Sequence, residues 1–367
     1  MTESEDLAHM RAAIFLARRG LGECAPNPTV GCVIVKDGQV IGRGRTASGG
    51  RPHAETEALI MAGEAARGAT AYVTLEPCAH HGRTPPCAAA LADSGVARVV
   101  VAVRDPDPRV NGQGVAMLKA AGIEVIEYVL ETEAEAVNAG FFSVVQRGRP
   151  LLRLKLASTL DGRIATRSGE SQWITGDASR RAAHAMRGTF DAVMVGVGTV
   201  LQDDPELTCR IEGFRSSPII RVVLDSHLRT PLTSRLVQGA RQVPLWILHR
   251  DGADGMRRAA LEDAGVRVIE VAAGSVGVDL ANALTALARE GVTRVLAEGG
   301  GTLAAALLRA DLVDELAWFH APSVMGGDGF PAAQAFGVSE LSAMPRFKPV
   351  RQQQWGDDML SLFRRRG

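Results

Sequence analysis

The stretches RPHAETEAL (51–59) and VTLEPCAHHGRTPPC (73–87) place a histidine and two cysteines where predicted strands and helices meet. His53 opens a helical pattern, Cys78 directly follows a strand pattern, and Cys87 lies behind two prolines at the start of the next helical pattern. In α/β proteins, sites form where loops leave the carboxyl ends of strands. The two helix starts can therefore bring one imidazole and two thiolates to a common point.

One histidine and two cysteines are typical of a catalytic zinc site, which uses three protein ligands and leaves one position open. The sequence therefore predicts that His53, Cys78 and Cys87 bind zinc. Glu55 is not needed as a ligand, and its carboxyl group can carry a proton from a metal-bound water to a leaving amine. Cysteines and a lone histidine are often plain core residues, but the combined spacing favours the metal. Cys32, inside an apolar strand pattern, is predicted to be such a core residue.

The patterns around this set alternate between helix and strand over the first 130 residues. The stretch TVGCVIVKDGQVIG (29–42) predicts a hairpin that turns at Lys36, Asp37 and Gly38. The stretches ARVVVAV, GVAMLKAAG and IEVIE then predict a strand, a helix and a strand. Such alternation indicates an α/β fold, in which helices pack on a largely parallel or mixed sheet.

The 367 residues are too many for one ordinary domain. A second series of strand and helix patterns begins after QRGRP (146–150), and all four tryptophans fall within that second series. We therefore predict a boundary near residue 148, with one domain at 1–147 and another at 148–367.

Composition narrows the class of protein. Lys plus Arg and Asp plus Glu number 41 each, so no charge excess favours nucleic acid or an anionic membrane. No apolar run approaches the ~18 residues of a membrane span, and the N-terminus lacks the basic and apolar blocks of a secretory signal. Five cysteines in a long chain fit reduced thiols better than a disulfide framework. We expect a cytoplasmic protein that binds neither nucleic acid nor membranes.

Two glycine-containing turns in the second half can hold the phosphates of a cofactor. VTRVLAEGGGTLAAALL (292–308) joins a strand, three glycines and a helix start, whose N–H groups suit an anion, and FDAVMVGVGTV (190–200) is similar. Neither contains G-x-G-x-x-G or follows the first strand of its domain, which disfavours a plain Rossmann dehydrogenase. By themselves, the glycines fit a tight strand-to-helix turn equally well.

Taken together, these motifs resemble those of the bifunctional deaminase/reductase family of riboflavin biosynthesis. In the first half the resemblance rests on PNPTVGCVIVKDG, HAE, LEPCAHHGRTPPC and RDPDPRVNGQG. In the second half it rests on LKLASTLDGRIATRSGESQWIT, GVGTVLQDDPELTCR and LAEGGGTLAAALL. The eight residues between Cys78 and Cys87 are similar to this family's long version of the deaminase motif. The resemblance covers nearly the whole chain and implies a cytidine-deaminase-like domain followed by a dihydrofolate-reductase-like domain, both of the α/β class.

The resemblance also implies two successive reactions on one phosphorylated pyrimidine. Zinc-dependent hydrolysis would remove the 2-amino group of 2,5-diamino-6-ribosylamino-4(3H)-pyrimidinone 5′-phosphate. Reduction with NADPH would then convert the ribosyl chain to a ribityl chain, giving 5-amino-6-(5-phosphoribitylamino)uracil. We expect such an enzyme to be a homo-oligomer.

The same resemblance implies two sets of contact residues in the second half. The cofactor would contact Ala157, Trp173, Thr199, Asp203, Ser226, Gly300, Gly301 and Thr302. The substrate would contact Ser171, Arg187, Leu207, Arg210 and Glu298. The planar guanidinium groups of the two arginines are suited to the phosphate of the substrate.

Two other functions stay open at this point. A nucleic-acid deaminase would need a basic groove and aromatic platforms, whereas the aromatic residues within 1–140 are only Phe15, Tyr72 and Tyr128. A zinc-stabilised binding module would need a fourth protein ligand, which His80 or His81 could supply.

The sequence departs from the family at Thr46, where members often carry a histidine seven residues before the metal histidine. If that histidine contacts the substrate, the hydroxyl of Thr46 could replace it. Arg43 or Arg45 could also take over the contact.

Overall fold

The structure is a computed structural model and describes residues 2–80, 85–108 and 110–366. The chain divides into two compact units, Met1–Gly148 and Arg149–Gly367, and this division lies next to the boundary predicted near residue 148. Each unit has its own sheet and its own hydrophobic core. Among the described residues, no helix combines the length and the apolar character needed to cross a bilayer.

The first unit is a five-stranded sheet with helices packed on it. Its helices are α1 (Glu3–Arg18), α2 (Ala54–Ala62), α3 (Cys87–Asp93), α4 (Gln113–Ala120) and α5 (Glu131–Arg147). Its strands are β1 (Gly31–Lys36), β2 (Gln39–Arg45), β3 (Thr70–Val73), β4 (Arg98–Val101) and β5 (Glu124–Ile126). The strand order is β2-β1-β3-β4-β5; β1 is antiparallel to β2 and β3, and β3, β4 and β5 are parallel. The carboxyl ends of β3 and β4 therefore lie side by side.

The predicted hairpin is confirmed, and it forms the edge of this sheet. Asp37 and Gly38 join β1 to β2, and both have positive φ, 51° and 75°. Two successive left-handed residues give a two-residue turn whose twist matches that of the strands. Helices approach the hairpin closely because it contains glycine: a Cβ at Gly31 would overlap the backbone of α1, and one at Gly44 would overlap that of α2.

A buried ion pair fixes α1 on the sheet. Asp6, in α1, accepts hydrogen bonds from the hydroxyl of Tyr72 in β3 (2.7 Å) and from the guanidinium of Arg98 in β4 (2.6 and 2.8 Å). The Arg98 guanidinium holds the pKa of the Asp6 carboxyl below its ordinary value. One carboxylate thus joins a helix to two neighbouring strands. Its contribution to stability is present above the ordinary pKa of aspartate and is lost as the pH falls through the lowered pKa.

We expect Asp6→Ala to lower the free energy of unfolding of the first unit by about 3 kcal/mol, because it removes the carboxylate that binds both the Arg98 guanidinium and the buried hydroxyl of Tyr72. Glu124→Ala is the matched control. Its carboxylate also lies 3.5 Å from Arg98, but the side chain is 65% exposed, so we expect little change. Calorimetry of the full chain, following the transition that zinc chelation shifts, measures both. Equal losses for the two variants would contradict the prediction.

The second unit contains a larger sheet and a short two-stranded one. Its helices are α6 (Asp177–Gly188), α7 (Val197–Asp203), α8 (Arg235–Gln238), α9 (Gly255–Asp263), α10 (Leu280–Arg289) and α11 (Gly301–Arg309). Its strands are β6 (Leu151–Thr159), β7 (Arg163–Ala165), β8 (Ala192–Gly196), β9 (Ile220–Leu224), β10 (Leu245–Arg250), β11 (Arg267–Val271), β12 (Arg294–Glu298), β13 (Glu315–Ala321), β14 (Phe330–Pro331), β15 (Phe347–Trp355) and β16 (Asp358–Arg365).

The order of the larger sheet is β11-β10-β9-β8-β12-β6-β13-β16-β15, and β7 pairs with β14. The seven strands from β11 to β13 are parallel, and β16 and β15 extend the sheet as an antiparallel hairpin. The first strand of the unit, β6, therefore lies between two of the last, β12 and β13. The carboxyl ends of β6, β8, β9 and β12 share one edge, where a ligand is expected in a sheet of this kind.

Helix α5 and strand β15 are among the elements that the sequence patterns did not predict. Helix α5 buries small and polar side chains, including Ala134, Asn138 and Ser143, so its apolar stripe is weak. Strand β15 is exposed at most of its positions and lacks the alternation of a half-buried strand.

Candidate active sites

The carboxyl edge of the first sheet brings together the three predicted zinc ligands. His53 immediately precedes α2, Cys78 lies in the loop after β3, and Cys87 is the first residue of α3. One ligand atom of each lies within 4.8 Å of the others. His53 Nδ1 is 3.3 Å from Cys87 Sγ and 3.8 Å from Cys78 Sγ. Tetrahedral zinc with bonds of about 2.0–2.3 Å would hold its ligand atoms about 3.6 Å apart, so the donor set and its spacing fit this metal.

The electrostatics of the two thiols also favour a metal. The thiol of Cys87 donates a hydrogen bond that lowers the pKa of Cys78 to about 4, and the backbone N–H of Cys87 donates to the same sulfur at 3.3 Å. The proton shared with Cys78 raises the pKa of Cys87. One thiol is therefore already a thiolate at neutral pH, and metal binding has only one further thiol proton to displace.

Glu55 lies in the first turn of α2 and is almost fully buried, with 3% of its surface exposed. Its Oε2 atom has no hydrogen-bond partner among the described residues. Burial raises the pKa of the Glu55 carboxyl to about 7. A carboxyl group that is half-protonated near neutral pH can both accept and donate a proton, which is the property that a general acid/base needs.

The described part of the chain offers no fourth protein ligand, which a closed zinc site would need. His80 is exposed and does not belong to the group of possible ligands. His81, the other candidate, lies outside the described residues. Three ligands leave the open position of a catalytic zinc site.

Thr46 has a role in holding the backbone. It is buried, and its hydroxyl oxygen accepts a hydrogen bond from the backbone N–H of Val30 at 2.9 Å. Arg45, one of its suggested substitutes, lies 3.6 Å from Glu23. The structure therefore gives the Thr46 hydroxyl a backbone partner, and its contact with the substrate stays a prediction.

The second unit contains a cleft of about 1450 Å³ that gathers the residues implied for cofactor and substrate. From the cofactor set, the cleft is lined by Ala157, Trp173, Thr199, Asp203, Ser226, Gly300, Gly301 and Thr302. From the substrate set, it is lined by Ser171, Arg187, Leu207, Arg210 and Glu298. The cleft lies at the shared carboxyl edge of β6, β8, β9 and β12.

The glycine turn after β12 suits a cofactor phosphate. Gly300 precedes α11, and no side chain caps the first N–H groups of this helix. Those groups have no acceptor within the helix and favour a negative charge. Gly301 must be glycine because a Cβ there would overlap the carbonyl oxygen of Pro331. The turn thus leaves open N–H groups at the edge of the cleft.

Charged side chains meet at the end of β12. Glu298 is buried and accepts hydrogen bonds from Arg187 on both oxygens, at 2.6 and 3.0 Å. Burial alone would raise the pKa of Glu298, but the charge and hydrogen bonds of Arg187 lower it to about 2. Lys155, in β6, places Nζ 3.9 Å from Glu298 Oε2 and 5.7 Å from the ring centre of Phe319. Burial lowers the pKa of Lys155.

The two arginines that the sequence assigned to the phosphate have different surroundings. Arg187 is held by Glu298 and also donates to the carbonyl oxygen of Thr208 at 3.0 Å. Arg210 is exposed, and among the described residues its guanidinium pairs with the exposed carboxylate of Glu206, at 3.0 Å. Arg210 can exchange that partner for a phosphate at little cost, whereas Arg187 cannot leave Glu298 without stranding a buried carboxylate.

The sequence patterns did not identify Lys155 and Arg229 as residues that line the cleft. The signal for Lys155 was available, because LLRLKLA places a lysine inside a strand that is otherwise buried and apolar. Arg229 is exposed, lines the cleft close to Ser226, and forms no hydrogen bond or ion pair within the described ranges. A single exposed arginine in a loop carries no pattern that would have identified it.

Two family models match the chain. The cytidine and deoxycytidylate deaminase zinc-binding region matches residues 3–103, and the RibD C-terminal domain matches residues 150–361. Riboflavin biosynthesis protein RibD of Aquifex aeolicus is 39% identical over 365 residues, which is 100% of both chains.

Solved structures agree along the whole chain. Acinetobacter baumannii RibD superposes with a TM-score of 0.90 at 40% identity and 100% coverage of both chains. The diaminohydroxyphosphoribosylaminopyrimidine deaminase/5-amino-6-(5-phosphoribosylamino)uracil reductase of Thermotoga maritima superposes with a TM-score of 0.86 at 35% identity and 99% coverage of both. The expected fold, a cytidine-deaminase-like domain followed by a dihydrofolate-reductase-like domain, is confirmed.

We expect Cys78→Ser and Cys87→Ser each to lose the single zinc ion that the full chain binds, because a serine hydroxyl is not a thiolate at neutral pH. Cys24→Ser is the matched control: this thiol lies outside the cluster and donates to the carbonyl oxygen of Thr46 at 3.5 Å, a bond that serine can keep. Metal analysis of the purified variants gives the stoichiometry. One zinc per chain in all three variants would rule out this ligand set.

Proposed function

The chain belongs to the RibD family of riboflavin biosynthesis, and we propose that the two sites described above carry its two reactions. The protein is a bifunctional enzyme, a zinc-dependent deaminase and an NADPH-dependent reductase. Its substrate is a small phosphorylated pyrimidine. The observation that carries the assignment of the first site is the buried, unpartnered carboxyl of Glu55 beside a cluster of three metal ligands.

In the first reaction, water replaces the 2-amino group of 2,5-diamino-6-ribosylamino-4(3H)-pyrimidinone 5′-phosphate. Zinc held by His53, Cys78 and Cys87 supplies the Lewis acidity that makes water a nucleophile near neutral pH. A bond forms between the water oxygen and C2, and the bond from C2 to the amino nitrogen breaks. Glu55 takes a proton from the water and gives it to that nitrogen, which leaves as ammonia. The buried Oε2 atom of Glu55, which has no hydrogen-bond partner among the described residues, is free to take and give that proton.

In the second reaction, the ribosyl group is reduced to ribityl. The residues that line the cleft would hold NADPH, the N–H groups at Gly300 and Gly301 are suited to one of its phosphates, and the cofactor would supply a hydride. The reduction also consumes one proton, and the partly buried ammonium group of Lys155 can deliver it. Glu298 keeps this ammonium oriented at 3.9 Å, and Arg187 keeps Glu298 ionised. The product of the two steps is 5-amino-6-(5-phosphoribitylamino)uracil.

We also propose where the activities lie and how the protein occurs in the cell. The deaminase activity would reside within 1–147 and the reductase activity within 148–367. A homo-oligomer is supported by large apolar side chains that the single chain leaves exposed, such as Phe15, Ile60 and Met61. A cytoplasmic location is supported by the five cysteines, all of which are free thiols. The balanced charge gives no support for nucleic acid as a partner.

Glu55→Gln should lower the deamination rate by ~10²–10⁴-fold, because glutamine cannot transfer the proton. The variant should keep one zinc per chain and should reduce the deaminated compound at the wild-type rate with NADPH. Mass spectrometry separates the two steps, and chelation of zinc from the wild type should stop only the first. Deamination at the wild-type rate in Glu55→Gln would refute the role of this carboxyl.

Arg210→Ala should lower kcat/KM of the reductase by roughly 10–150-fold, since a hydrogen bond to a charged group contributes about 1.5–3 kcal/mol. The loss should disappear with a substrate that lacks the 5′-phosphate. Arg187→Ala is the comparison variant: it frees Glu298, so it should impair both substrates alike. Steady-state kinetics of both variants with both substrates provide the test. A loss in Arg210→Ala that does not depend on the phosphate would remove Arg210 from the phosphate site.

A further inference from the structure

Glu76 lies two residues before the metal ligand Cys78 and is 3% exposed. Its carboxylate accepts three backbone hydrogen bonds. Oε2 accepts from the N–H of Asp105 at 3.3 Å and of Gly112 at 3.0 Å, and Oε1 accepts from the N–H of Val115 at 3.1 Å. The function derived above does not use this residue.

All three donors belong to the segment that follows β4 and to the first turn of α4. Gly112 occupies the N-cap position of α4, and no side chain of the helix itself caps its N-terminus. The first N–H groups of a helix need acceptors from outside the helix, and a negative charge is favourable there. Glu76 meets both requirements from the neighbouring strand end.

A second contact joins the same two parts of the chain. A Cβ at Gly114, in the first turn of α4, would overlap the carbonyl oxygen of Pro77. Pro77 lies between Glu76 and Cys78, so α4 packs directly on the residues that lead to the metal ligand. Glu76 and Gly114 therefore hold the loop of Cys78 and the start of α4 together from both sides.

The segment after β4 borders the zinc cluster. Strands β3 and β4 are parallel neighbours, so their carboxyl ends lie about 4.8 Å apart. Asp105 is buried in this segment, and one of its carboxylate oxygens accepts the N–H of Asp107 at 2.9 Å. The residues that lead to Cys78 contact this segment and the helix after it, because Glu76 accepts the N–H of Asp105 and Pro77 lies against Gly114.

We propose that Glu76 is a positioning residue of the deaminase: it fixes the described residues between β4 and α4, 102–108 and 110–112, as the wall against which the pyrimidine binds. The proposal rests on the deaminase function given above. Cys78 has anchors of its own, because Ala88 N–H donates to its carbonyl oxygen at 3.2 Å and Cys87 N–H donates to its sulfur. Loss of Glu76 should therefore displace the wall and leave the metal in place.

Glu76→Gln tests the proposal, since glutamine has the same shape but presents an NH₂ group to at least one of the three N–H donors. We expect KM for the pyrimidine to rise ~10–100-fold, the equivalent of one lost hydrogen bond and an unsatisfied buried donor. We expect kcat within about threefold of the wild type and one zinc per chain. Glu127→Gln is the matched control. It also links the two ends of this region, through Arg104 at 2.7 Å and Lys119 at 3.0 Å, but by exposed ion pairs, so its KM should not change.

Hydrogen exchange of the full chain gives a readout that does not depend on activity. In Glu76→Gln the amides of Asp105, Gly112 and Val115 should exchange faster than in the wild type, while Glu127→Gln should leave them protected. Unchanged protection, unchanged KM, a fall in kcat at constant KM, or loss of zinc in Glu76→Gln would each overturn the proposal. Absence of deamination in the wild type itself would instead refute the proposed function. The exchange experiment would still show whether Glu76 holds the three amides.

Discussion

Burial of carboxylates at the carboxyl edge of a parallel sheet is the constraint on which both sites depend. A carboxylate removed from water must find N–H donors or a counter-charge, or else keep its proton. Glu76 finds three backbone N–H groups, Glu298 finds the guanidinium of Arg187, and Glu55 has an oxygen that finds no partner. One type of side chain thus serves as a backbone anchor, as a fixed anion and as a proton carrier, depending only on what surrounds it.

The contrast between Glu55 and Glu298 shows how the surroundings assign the chemistry. Both are buried, so burial pushes both pKa values upward. At Glu55 the effect of burial is the larger one and the pKa is about 7. At Glu298 the effect of the Arg187 guanidinium outweighs burial and the pKa is about 2. Glu55 can therefore exchange a proton at neutral pH, and Glu298 stays an anion that orients its neighbours.

All three residues of the zinc cluster could be predicted from the sequence, but only part of the reductase site could. His53, Cys78 and Cys87 could be found because metal binding restricts both residue types and their positions at strand and helix ends. The hairpin could be found because its turn needs two residues with positive φ. Helix α5 could not, because it buries small and polar side chains, and the edge strand β15 could not, because solvent covers most of its positions. Local patterns report which faces are buried, and these elements bury little apolar surface.

The surroundings of Lys155 explain why the reductase site needs three charged groups. Its ammonium has lost most of its water, which makes its proton easier to release than in solution. Glu298 lies 3.9 Å away, yet it cannot serve as the acceptor, because Arg187 holds it in the ionised state with two hydrogen bonds. In the proposed reduction, a proton released by Lys155 would therefore pass to a group in the cleft. In the proposed reduction Arg187 would act through Glu298, which would account for an arginine in the substrate set whose guanidinium is already bound by the protein.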